Sequence, residues 1–319
     1  MRGKTRYDRT GSSAYYEIRF TMTHGEIKYI DRESGELIVE SVMGDRALRF
    51  AYETLLGRSL WPILFGGKFL SALMGKYYDS PASRKAVAKL IAIPGCKPEE
   101  AEFPVEHYTS FNDFFARRLK PGLRPAPADP AAIASPADGK LLVHTALSPK
   151  EPIPVKGAKR SIEELCGESL PDTPLAVAVI RLAPVDYHRY HFPCDCTMTE
   201  VPKVIAGKYH SVNPVALARH PDLFVENTRH ISVLKAADGT PFRMIEVAAF
   251  GVGSIVRTVQ PGKFTRMDEK GFFKFGGSTV IAVFENDKVT FDEDIISASA
   301  RGIELQVKCG SQIAKINQP

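Results

Sequence analysis

Cysteine and tryptophan are scarce in this chain of 319 residues, which holds five of the former and one of the latter. The cysteines are Cys96, Cys166, Cys194, Cys196 and Cys309. An odd, scattered set in a chain of this size does not resemble a disulfide framework and predicts a reducing compartment. The basic N-terminus also lacks the long apolar run of a signal peptide, so we expect the protein to stay inside the cell.

Positive charge is in only slight excess, with a formal net charge of +5 and a pI of about 8.8. No stretch interleaves basic and aromatic residues in the manner of proteins that bind single-stranded nucleic acid. We therefore expect no nucleic-acid partner, although the mild basic bias suits an anionic membrane surface. With 44% hydrophobic and 25% charged residues, the chain has ample material for one large domain or two smaller ones.

The first third of the chain predicts a hairpin followed by helices. Residues 26–42 alternate apolar and polar side chains around a turn, DRESGE, as a short β-hairpin does. Residues 46–76 are helical in character, but a proline and a Gly-Gly pair make them too broken to span a membrane. They fit two basic helices lying in a membrane interface and core helices of the main domain equally well. Further helices are predicted over residues 80–93 and 112–119.

A proline-rich connector, PGLRPAPADPAA, separates these helices from a strand-rich remainder. The remainder contains six apolar runs: KLLVHTAL, PLAVAVIRL, RHISVLKAA, RMIEVAAFGVGSIVRTV, TVIAVFE and IELQVKCG. Helices first and strands afterwards predict an α+β chain. We expect an N-terminal region of hairpin and membrane-associated helices, residues 1–105, followed by a β-rich, sandwich- or barrel-like domain, residues 106–319.

A Gly-Gly-Ser-Thr sequence lies between two apolar strands, KGFFKF and VIAVF, near the C-terminus. Ser278 is therefore predicted to lie on a tight connection, preceded by Gly276 and Gly277, which can adopt backbone angles that other residues avoid. A serine in that position can attack the preceding carbonyl, that of Gly277. An ordinary hairpin turn with a polar tip is the alternative for the tetrapeptide taken alone.

Three further blocks contain candidate functional residues. The first, FNDFFARRLKPGLRP, combines phenylalanines with four basic residues and fits either a docking helix or a site for an anionic headgroup. The second, SPADGKL, places Asp138 in a turn before a strand. The third, VDYHRYHFP, holds His188 and His191 three residues apart. Asp138, one of the two histidines and a serine nucleophile could form a catalytic trio.

Zinc binding is a competing interpretation of the histidine block. Four residues of zinc-ligand type fall within nine positions: His188, His191, Cys194 and Cys196. A zinc site there would make the protein a metal-dependent hydrolase or a structural zinc module. Against it, Cys-x-Cys is a poor chelating spacing, a proline stiffens the segment, and the aspartate and serine blocks would be left without a role.

The four blocks together resemble a known family. FNDFFARRLKP, SPADGK, DYHRYHFP and FGGSTV, in that order and spacing, are similar to the motifs of the phosphatidylserine decarboxylases. The resemblance runs from about Tyr29 to Ile316 and includes the segments YIDRESGE, LGR and DSPASRK. Gly276 stands where many members carry leucine, and Cys194 and Cys196 are not part of the family pattern.

The resemblance implies that the chain cuts itself. Asp138, His191 and Ser278 would form a charge-relay triad in which His191 takes the hydroxyl proton and Asp138 supports the imidazolium. Ser278 would attack the Gly277 carbonyl to form an ester. Elimination from that ester would leave dehydroalanine, which loses ammonia to become a pyruvoyl group, the covalent cofactor of the family.

The same resemblance implies a lyase acting on a membrane lipid. The pyruvoyl group would form a Schiff base with phosphatidylserine, and His188 would protonate the carbanion left by CO2 to give phosphatidylethanolamine. The substrate's acyl chains stay in the bilayer, so we expect a peripheral protein on the cytoplasmic face of the cell membrane. This favours the membrane interpretation of residues 46–76. A homo-oligomer and a catalytically dead, lipid-binding homologue stay open as alternatives.

Intact-mass measurement under denaturing conditions tests the self-cleavage prediction on freshly purified protein. We expect two chains, a β chain of residues 1–277 and an α chain of residues 278–319 that begins with a pyruvoyl group. A single full-length chain with an ordinary Ser278 would contradict the prediction, and would leave a stalled precursor or a binding protein.

Overall fold

The fold is built mainly from β-strands, as the C-terminal part of the sequence predicts. The computed structural model describes residues 27–40, 68–153, 159–208, 221–249, 255–276 and 278–317. The described strands are β1 (Lys28–Asp31), β2 (Leu37–Val39), β3 (Ala132–Ala134), β4 (Gly139–Leu147), β5 (Leu175–Leu182), β6 (Arg189–His191), β7 (Cys196–Met198), β8 (Lys203–Ile205), β9 (Arg229–Ala236), β10 (Pro241–Ala248), β11 (Ile255–Arg257), β12 (Gly262–Phe264), β13 (Glu269–Phe273), β14 (Ser278–Glu285), β15 (Val289–Phe291), β16 (Glu304–Val307) and β17 (Gln312–Ile316).

Most of these strands belong to one large sheet. Its order is β12-β7-β9-β10-β14-β5-β4-β16-β1-β2, with β8 paired to β9. The pairings are antiparallel except for the parallel pair of β1 and β16. Two three-stranded sheets, β11-β13-β6 and β15-β17-β3, pack beside it. Strand β14 therefore lies near the middle of the large sheet.

Helices are short and few among the described residues. They are α1 (Lys68–Asp79), α2 (Val87–Ile91), α3 (Phe111–Phe115), α4 (Ile162–Cys166), α5 (Leu223–Glu226) and α6 (Glu293–Ala300), and a 3₁₀ helix, Pro81–Ala86, leads into α2. Side-chain hydrogen bonds cap the N-termini of two of these helices. The Ser110 hydroxyl accepts from the Asp113 N–H at the start of α3, and Ser161 with Glu164 forms a capping box on α4.

The large sheet is covered on both faces, which explains the long apolar runs in its central strands. Successive side chains of a strand point to opposite faces. On β14, Val280 and Ala282 pack into a core shared with the two small sheets. Ile281 and Val283 pack into a second core shared with α4 and α5. A strand buried on both faces therefore reads as an unbroken apolar run rather than an alternating one.

A third hydrophobic cluster joins the N-terminal helices to the segment before Ser278. Its buried members include Leu90 of α2 and the phenylalanines of α3, and Phe275 packs against them. The ring centroid of Phe275 lies 4.9 Å from that of Phe111. The Phe275 backbone N–H also donates to the Asn112 side chain at 2.9 Å. Helix α3 therefore determines where the chain approaches β14.

Several sequence predictions are confirmed by this architecture. The chain is a mixed α+β protein with a β-rich second half, and each of the six apolar runs contains strand residues. The predicted N-terminal hairpin is β1 and β2. The helix predicted over residues 80–93 is present as the 3₁₀ helix followed by α2. The helix predicted over 112–119 ends early, because the chain turns to bond Glu102 N–H to the Arg118 carbonyl.

The predicted tight connection around Ser278 is wrong. Strands β13 and β14 do not pair with each other, since β13 lies between β11 and β6 while β14 lies between β10 and β5. The intervening residues cross from a small sheet to the large one, and Ser278 is the first residue of β14 rather than a turn residue. Residues that look like one hairpin in sequence thus belong to two sheets, each pairing with strands that are distant in sequence.

The predicted membrane-associated segment falls outside the described residues, apart from α1. No described helix has the length and hydrophobicity needed to cross a bilayer. The domain boundary after residue 105 stays a prediction.

A buried ion pair joins the small sheet of β13 to the large sheet. Lys270 Nζ of β13 lies 2.6 Å from Glu246 Oε1 of β10, and both side chains are 1% exposed. Glu246 Oε2 has no described hydrogen-bond partner, and burial raises the pKa of this carboxyl. Glu246 pairs with Val280 across the strands and lies on the same sheet face as Ser278. The pair therefore holds β13 against the sheet beside the start of β14.

Removing one member of this pair should be far more damaging than removing a surface cation. In a Ser278→Ala background, which keeps the chain uncut, Lys270→Met leaves a buried carboxylate unpaired and should lower the unfolding free energy by about 3–5 kcal/mol. The control Lys274→Met breaks a partly exposed pair with Asp79 and should cost less than about 1 kcal/mol.

Adding Glu246→Leu to the Lys270→Met variant removes the orphaned charge and should recover most of the loss. Urea unfolding followed by circular dichroism measures all of these variants. Equal losses in Lys270→Met and the Lys274→Met control would show that the buried pair contributes no more than a surface contact.

Candidate active site

Ser278 lies between two strands in the interior of the large sheet. Its backbone pairs with Ala248 of β10 on one side and Leu182 of β5 on the other. The side chain is fully buried, and its hydroxyl has no hydrogen-bond partner among the described residues. An unpaired buried hydroxyl costs free energy, which points to a role other than folding. Gly276, two residues earlier, has a φ of +151°, a conformation that side chains disfavour.

The loop after β5 starts beside Ser278 and leads to the histidine block. Strand β5 ends at Leu182, the cross-strand partner of Ser278. The Asp186 carboxylate then accepts a hydrogen bond from the Ala183 N–H at 2.6 Å and lies 3.0 Å from Lys140 Nζ. The lysine and aspartate side chains are 2% and 7% exposed. A buried ion pair therefore sets the shape of the loop that carries the histidines.

His188 is brought to the serine segment through the aromatic residues of α3. Its ring centroid lies 3.9 Å from that of Phe115. Phe115 also contacts Phe275, at 5.3 Å between centroids, in the segment that leads to Ser278. The His188 carbonyl in turn accepts a hydrogen bond from the Phe273 N–H at 2.9 Å. One phenylalanine thus packs against both the histidine and the chain approaching the serine.

His188 is a neutral imidazole with a free lone pair. Nδ1 lies 2.9 Å from the Asp186 carbonyl oxygen, which can only accept, so the ring proton is on Nδ1. Nε2 is buried and has no partner among the described residues. Burial lowers the pKa of His188 to about 3, an effect that the charge of Asp186 opposes. His188 therefore presents an unprotonated Nε2 that can accept a proton.

His191, in β6, has both ring nitrogens occupied. Nδ1 lies 2.9 Å from the Met267 carbonyl, and Nε2 lies 3.2 Å from the Tyr187 hydroxyl. Because Nδ1 must carry the proton for that carbonyl, the Tyr187 hydroxyl donates to Nε2. Burial lowers the pKa of His191. Met267 has a φ of +73°, unusual for a residue with a side chain. The backbone is therefore strained at Met267, whose carbonyl accepts the hydrogen bond from His191 Nδ1–H.

Asp138 is held by an arginine rather than by a histidine. Arg124 Nε lies 2.8 Å from Asp138 Oδ1 and Arg124 Nη2 lies 2.6 Å from Oδ2, a bidentate pair. The Cys309 N–H also donates to Oδ1 at 2.7 Å. Asp138 immediately precedes β4, as the sequence predicts, and only a small part of its side chain is exposed. Its negative charge is therefore firmly placed.

Asp138 and His191 of the predicted trio lie on neighbouring segments, but the three residues are not joined by hydrogen bonds among the described residues. The His191 N–H donates to the Pro136 carbonyl at 2.8 Å, which puts the histidine strand beside the aspartate turn. The charge of Asp138 also acts on His191 and opposes the lowering of its pKa. No hydrogen bond in the described residues joins Asp138 to His191, or either of them to Ser278. The roles of the three residues stay predictions.

The zinc interpretation gains no support from the geometry. All four candidate ligands lie in the described part of the chain, which contains no group of three or more His, Cys, Asp or Glu side chains placed to hold a metal ion. Cys194 and Cys196 are buried, and burial raises the pKa of the Cys196 thiol to about 12.

Similarity to known proteins agrees with this site. A model of the phosphatidylserine decarboxylase family matches residues 111–315. The chain belongs to this family. A phosphatidylserine decarboxylase proenzyme from Clostridium novyi (strain NT) is 39% identical over 295 residues, which are 90% of this chain and 98% of that protein.

Two further relatives with the same name extend the comparison. The protein from Fusobacterium nucleatum is 36% identical over 91% of this chain and 98% of its own length. The protein from Chlamydia trachomatis serovar L2 is 34% identical over 92% of this chain and 99% of its own length. The predicted resemblance to the phosphatidylserine decarboxylase family is thereby confirmed over most of the chain.

A cleft of about 250 Å³ opens beside Asp138 in this decarboxylase-family fold. Its lining includes Arg117, Arg124, Lys140, Asp186 and Tyr187. All five lie in the predicted motif blocks, yet the sequence assigned none of them a partner. The available signal was charge, since Arg124 of the first block pairs with Asp138 of the second, and Lys140 of the second pairs with Asp186 of the third. Which cation meets which carboxylate depends on tertiary contacts.

The low pKa of His188 has a consequence for stability that can be measured. The folded-state pKa is about 3 and the ordinary value is 6.5, so between these values the unfolded chain binds a proton that the folded chain does not. The unfolding free energy should therefore fall as the pH is lowered from about 6.5, by up to about 1.4 kcal/mol per pH unit from this residue.

His188→Gln should remove this contribution. Urea unfolding of Ser278→Ala with and without His188→Gln, at pH values from about 7 down to about 4.5, measures the difference in slope. Identical pH slopes in the two proteins would mean that His188 is not held neutral by the fold.

Proposed function

We propose that the chain is a self-cleaving phosphatidylserine decarboxylase, which converts phosphatidylserine to phosphatidylethanolamine and CO2. The family match covers every predicted site residue, and the similar proteins are named as proenzymes of this activity. The observation that carries the proposal is Ser278, a fully buried serine with an unpaired hydroxyl at the first position of a central strand. Most buried hydroxyls in proteins are hydrogen-bonded, and the Gly277-Ser278 pair of the family motif distinguishes this one from the unpaired hydroxyls of Ser232 and Thr279 in the same sheet.

Self-cleavage is assigned to Asp138, His191 and Ser278, as the resemblance implies. The neighbouring backbones of the aspartate turn and the histidine strand support this assignment. His191 Nε2 already accepts a hydrogen bond from one hydroxyl, that of Tyr187, so the step requires it to exchange that hydroxyl for the one on Ser278. Asp138, held by Arg124, would supply the negative charge that stabilises the imidazolium.

The geometry also favours a second assignment, in which His188 is the base for self-cleavage. Its Nε2 has a free lone pair, and Phe115 packs it against the segment that leads to Ser278. No described side chain has to be displaced before that nitrogen can accept the serine proton. In this assignment His191 would act after cleavage, and the two histidines would exchange the roles that the resemblance gives them.

The residues around Ser278 fit a pyruvoyl group made from that serine. The group supplies an electrophilic ketone that accepts the electron pair released when a bound amino acid loses CO2. The pairing of β14 with β10 and β5 would hold the reactive end of the α chain after the cut. Phe115 and Phe275 would exclude water, and the Nε2 lone pair of His188 would take up a proton and hold it nearby.

Membrane association is also part of the proposal, at the cytoplasmic face of the cell membrane. The substrate resides in the bilayer, and α1 exposes two large apolar side chains, Leu73 at 55% and Tyr77 at 41%. An interfacial helix places such residues toward the lipid. Flotation with vesicles containing phosphatidylserine tests this. Protein that stays at the bottom of the gradient, while the same preparation decarboxylates a short-chain substrate, would exclude a stable peripheral attachment.

Three substitutions test the chemistry and separate the two histidine assignments. Ser278→Ala should abolish both self-cleavage and decarboxylation. If the resemblance assigns the histidines correctly, His191→Gln blocks cleavage, whereas His188→Gln permits cleavage and lowers decarboxylation by about 100-fold or more. Intact mass and CO2 release measure the two steps separately.

The reverse pattern would support His188 as the base for cleavage. Wild-type protein that stays uncut and releases no CO2, yet binds vesicles containing phosphatidylserine, would favour the lipid-binding alternative instead. Decarboxylation by the Ser278→Ala variant would overturn the proposed cofactor.

A further inference from the structure

Arg117, two residues after α3, is a buried cation with poor hydrogen bonding. The residue is 3% exposed. Its Nη1 and Nη2 lie 3.5 and 3.4 Å from the carbonyl oxygens of Phe114 and Val185, which is long for hydrogen bonds. Nε has no partner among the described residues. Burial lowers the pKa of Arg117, but from so high an ordinary value that the guanidinium stays charged at neutral pH.

Arg117 is exceptional among the cations that line the cleft beside Asp138. The other five each form an ion pair with a carboxylate of a described residue: Arg32, Lys97, Arg124, Lys140 and Lys308. Arg117 forms none in the part of the chain that the structure describes. The lining carboxylate of Asp31 is no substitute, because it accepts backbone hydrogen bonds within its own turn.

An unpaired, buried guanidinium indicates that an anion belongs beside it. Folding takes the charge out of water without giving it a carboxylate in direct contact. The charges of Asp138 and Glu100 act on it from a greater distance, and the ring of Phe114, 4.8 Å away, offsets only part of the remaining cost. The planar fork of an arginine matches the oxygens of a phosphate or a carboxylate. Its contact with Val185 places the group beside the loop that carries His188, close enough for its charge to act on that imidazole.

The serine phospholipid offers two anionic groups, and the chemistry distinguishes them. Its carboxylate must leave as neutral CO2, so a cation bound to it would stabilise the starting state more than the transition state and would slow the reaction. Its phosphodiester keeps its charge throughout the reaction. An arginine bound to the phosphodiester therefore holds substrate and transition state equally and does not oppose decarboxylation.

We propose that Arg117 binds the phosphodiester of the phospholipid headgroup in the cleft between α3 and the loop of residues 183–188. This assignment rests on the proposed decarboxylase function and adds to it the residue that recognises the headgroup. The guanidinium would replace its two long contacts with charge-assisted hydrogen bonds to the phosphate oxygens. The serine part of the headgroup would then extend toward His188 and the N-terminus of β14.

Steady-state kinetics on short-chain phosphatidylserine below its micelle concentration test the proposal without a membrane. The processed wild type is compared with Arg117→Met, Arg117→Lys and the control Arg84→Met. Arg84 is exposed and donates to the Glu106 carbonyl outside the cleft. We expect Arg117→Met to lower kcat/KM by about 10- to 100-fold, mainly through KM, because it loses charge-assisted hydrogen bonds. Arg117→Lys should be intermediate, and Arg84→Met should lie within about twofold of the wild type.

A product analogue identifies which anionic group Arg117 binds. sn-Glycero-3-phosphoethanolamine carries the phosphodiester and lacks the carboxylate. Its inhibition constant should rise in Arg117→Met by about the same factor as KM. An unchanged inhibition constant together with a raised KM would assign Arg117 to the carboxylate and overturn the proposal. Inorganic phosphate that binds at Arg117 without competing with the substrate would assign the site to free phosphate and would also overturn it.

Controls separate this proposal from the function on which it rests. Intact mass establishes that each variant has cut itself, so a loss of processing is not mistaken for a loss of binding. If Arg117→Met does not fold, Arg117→Lys carries the test, since it keeps the charge and loses the fork. Unchanged kcat/KM and inhibition constants in a processed Arg117→Lys would then reject headgroup binding. A wild type that releases no CO2 would reject the decarboxylase function itself.

Discussion

The pairing of β14 with β10 on one side and β5 on the other is the constraint on which the rest of the structure depends. It places Ser278 at a fixed point in the interior, while β13, which precedes it, belongs to another sheet. The proposed cut therefore falls on a crossover between sheets. Three of the strands after it, β14, β16 and β17, remain paired with strands that precede the cut, namely β10, β5, β4, β1 and β3, and β15 pairs with β17. Hydrogen bonding across the two chains can thus hold the fold together once the peptide bond is broken.

The cations that line the cleft are paired with carboxylates, and Arg117 is the exception among the described residues. Arg181 lies 2.6 Å from carboxylate oxygens of both Glu40 and Glu304, and Lys140 and Asp186 form a second buried pair close by. Each charge offsets the desolvation of its partner, so the groups cannot move independently without a large cost. Arg117 lacks such a partner in the described structure. A ligand that binds beside it can supply the missing negative charge.

Apolar packing contributes to the site as directly as the charges do. Phe115 touches both His188 and Phe275, so the helix that carries the first sequence block determines the approach of the chain to Ser278. The same enclosure keeps the two histidines neutral by removing water from their charged forms. Each imidazole therefore has one ring nitrogen with a lone pair, and the lowered pKa makes that nitrogen a weaker base than in an exposed histidine. Hydrophobic burial in this region therefore sets the protonation state of both side chains.

The apolar runs predicted the main strands and the α+β class, and the motif blocks predicted the family, because such runs and motifs are properties of neighbouring residues. The sequence placed Asp138 before its strand correctly. It did not place Ser278, since a strand's partners are set by contacts between distant residues rather than by its neighbours in sequence. Tertiary structure alone decided that β13 and β14 separate, that Asp138 meets Arg124, and that Arg117 meets no carboxylate in the described chain. Strand partners and ion-pair partners depend on which distant residues the fold buries next to each other. A pattern of neighbouring residues does not predict those contacts.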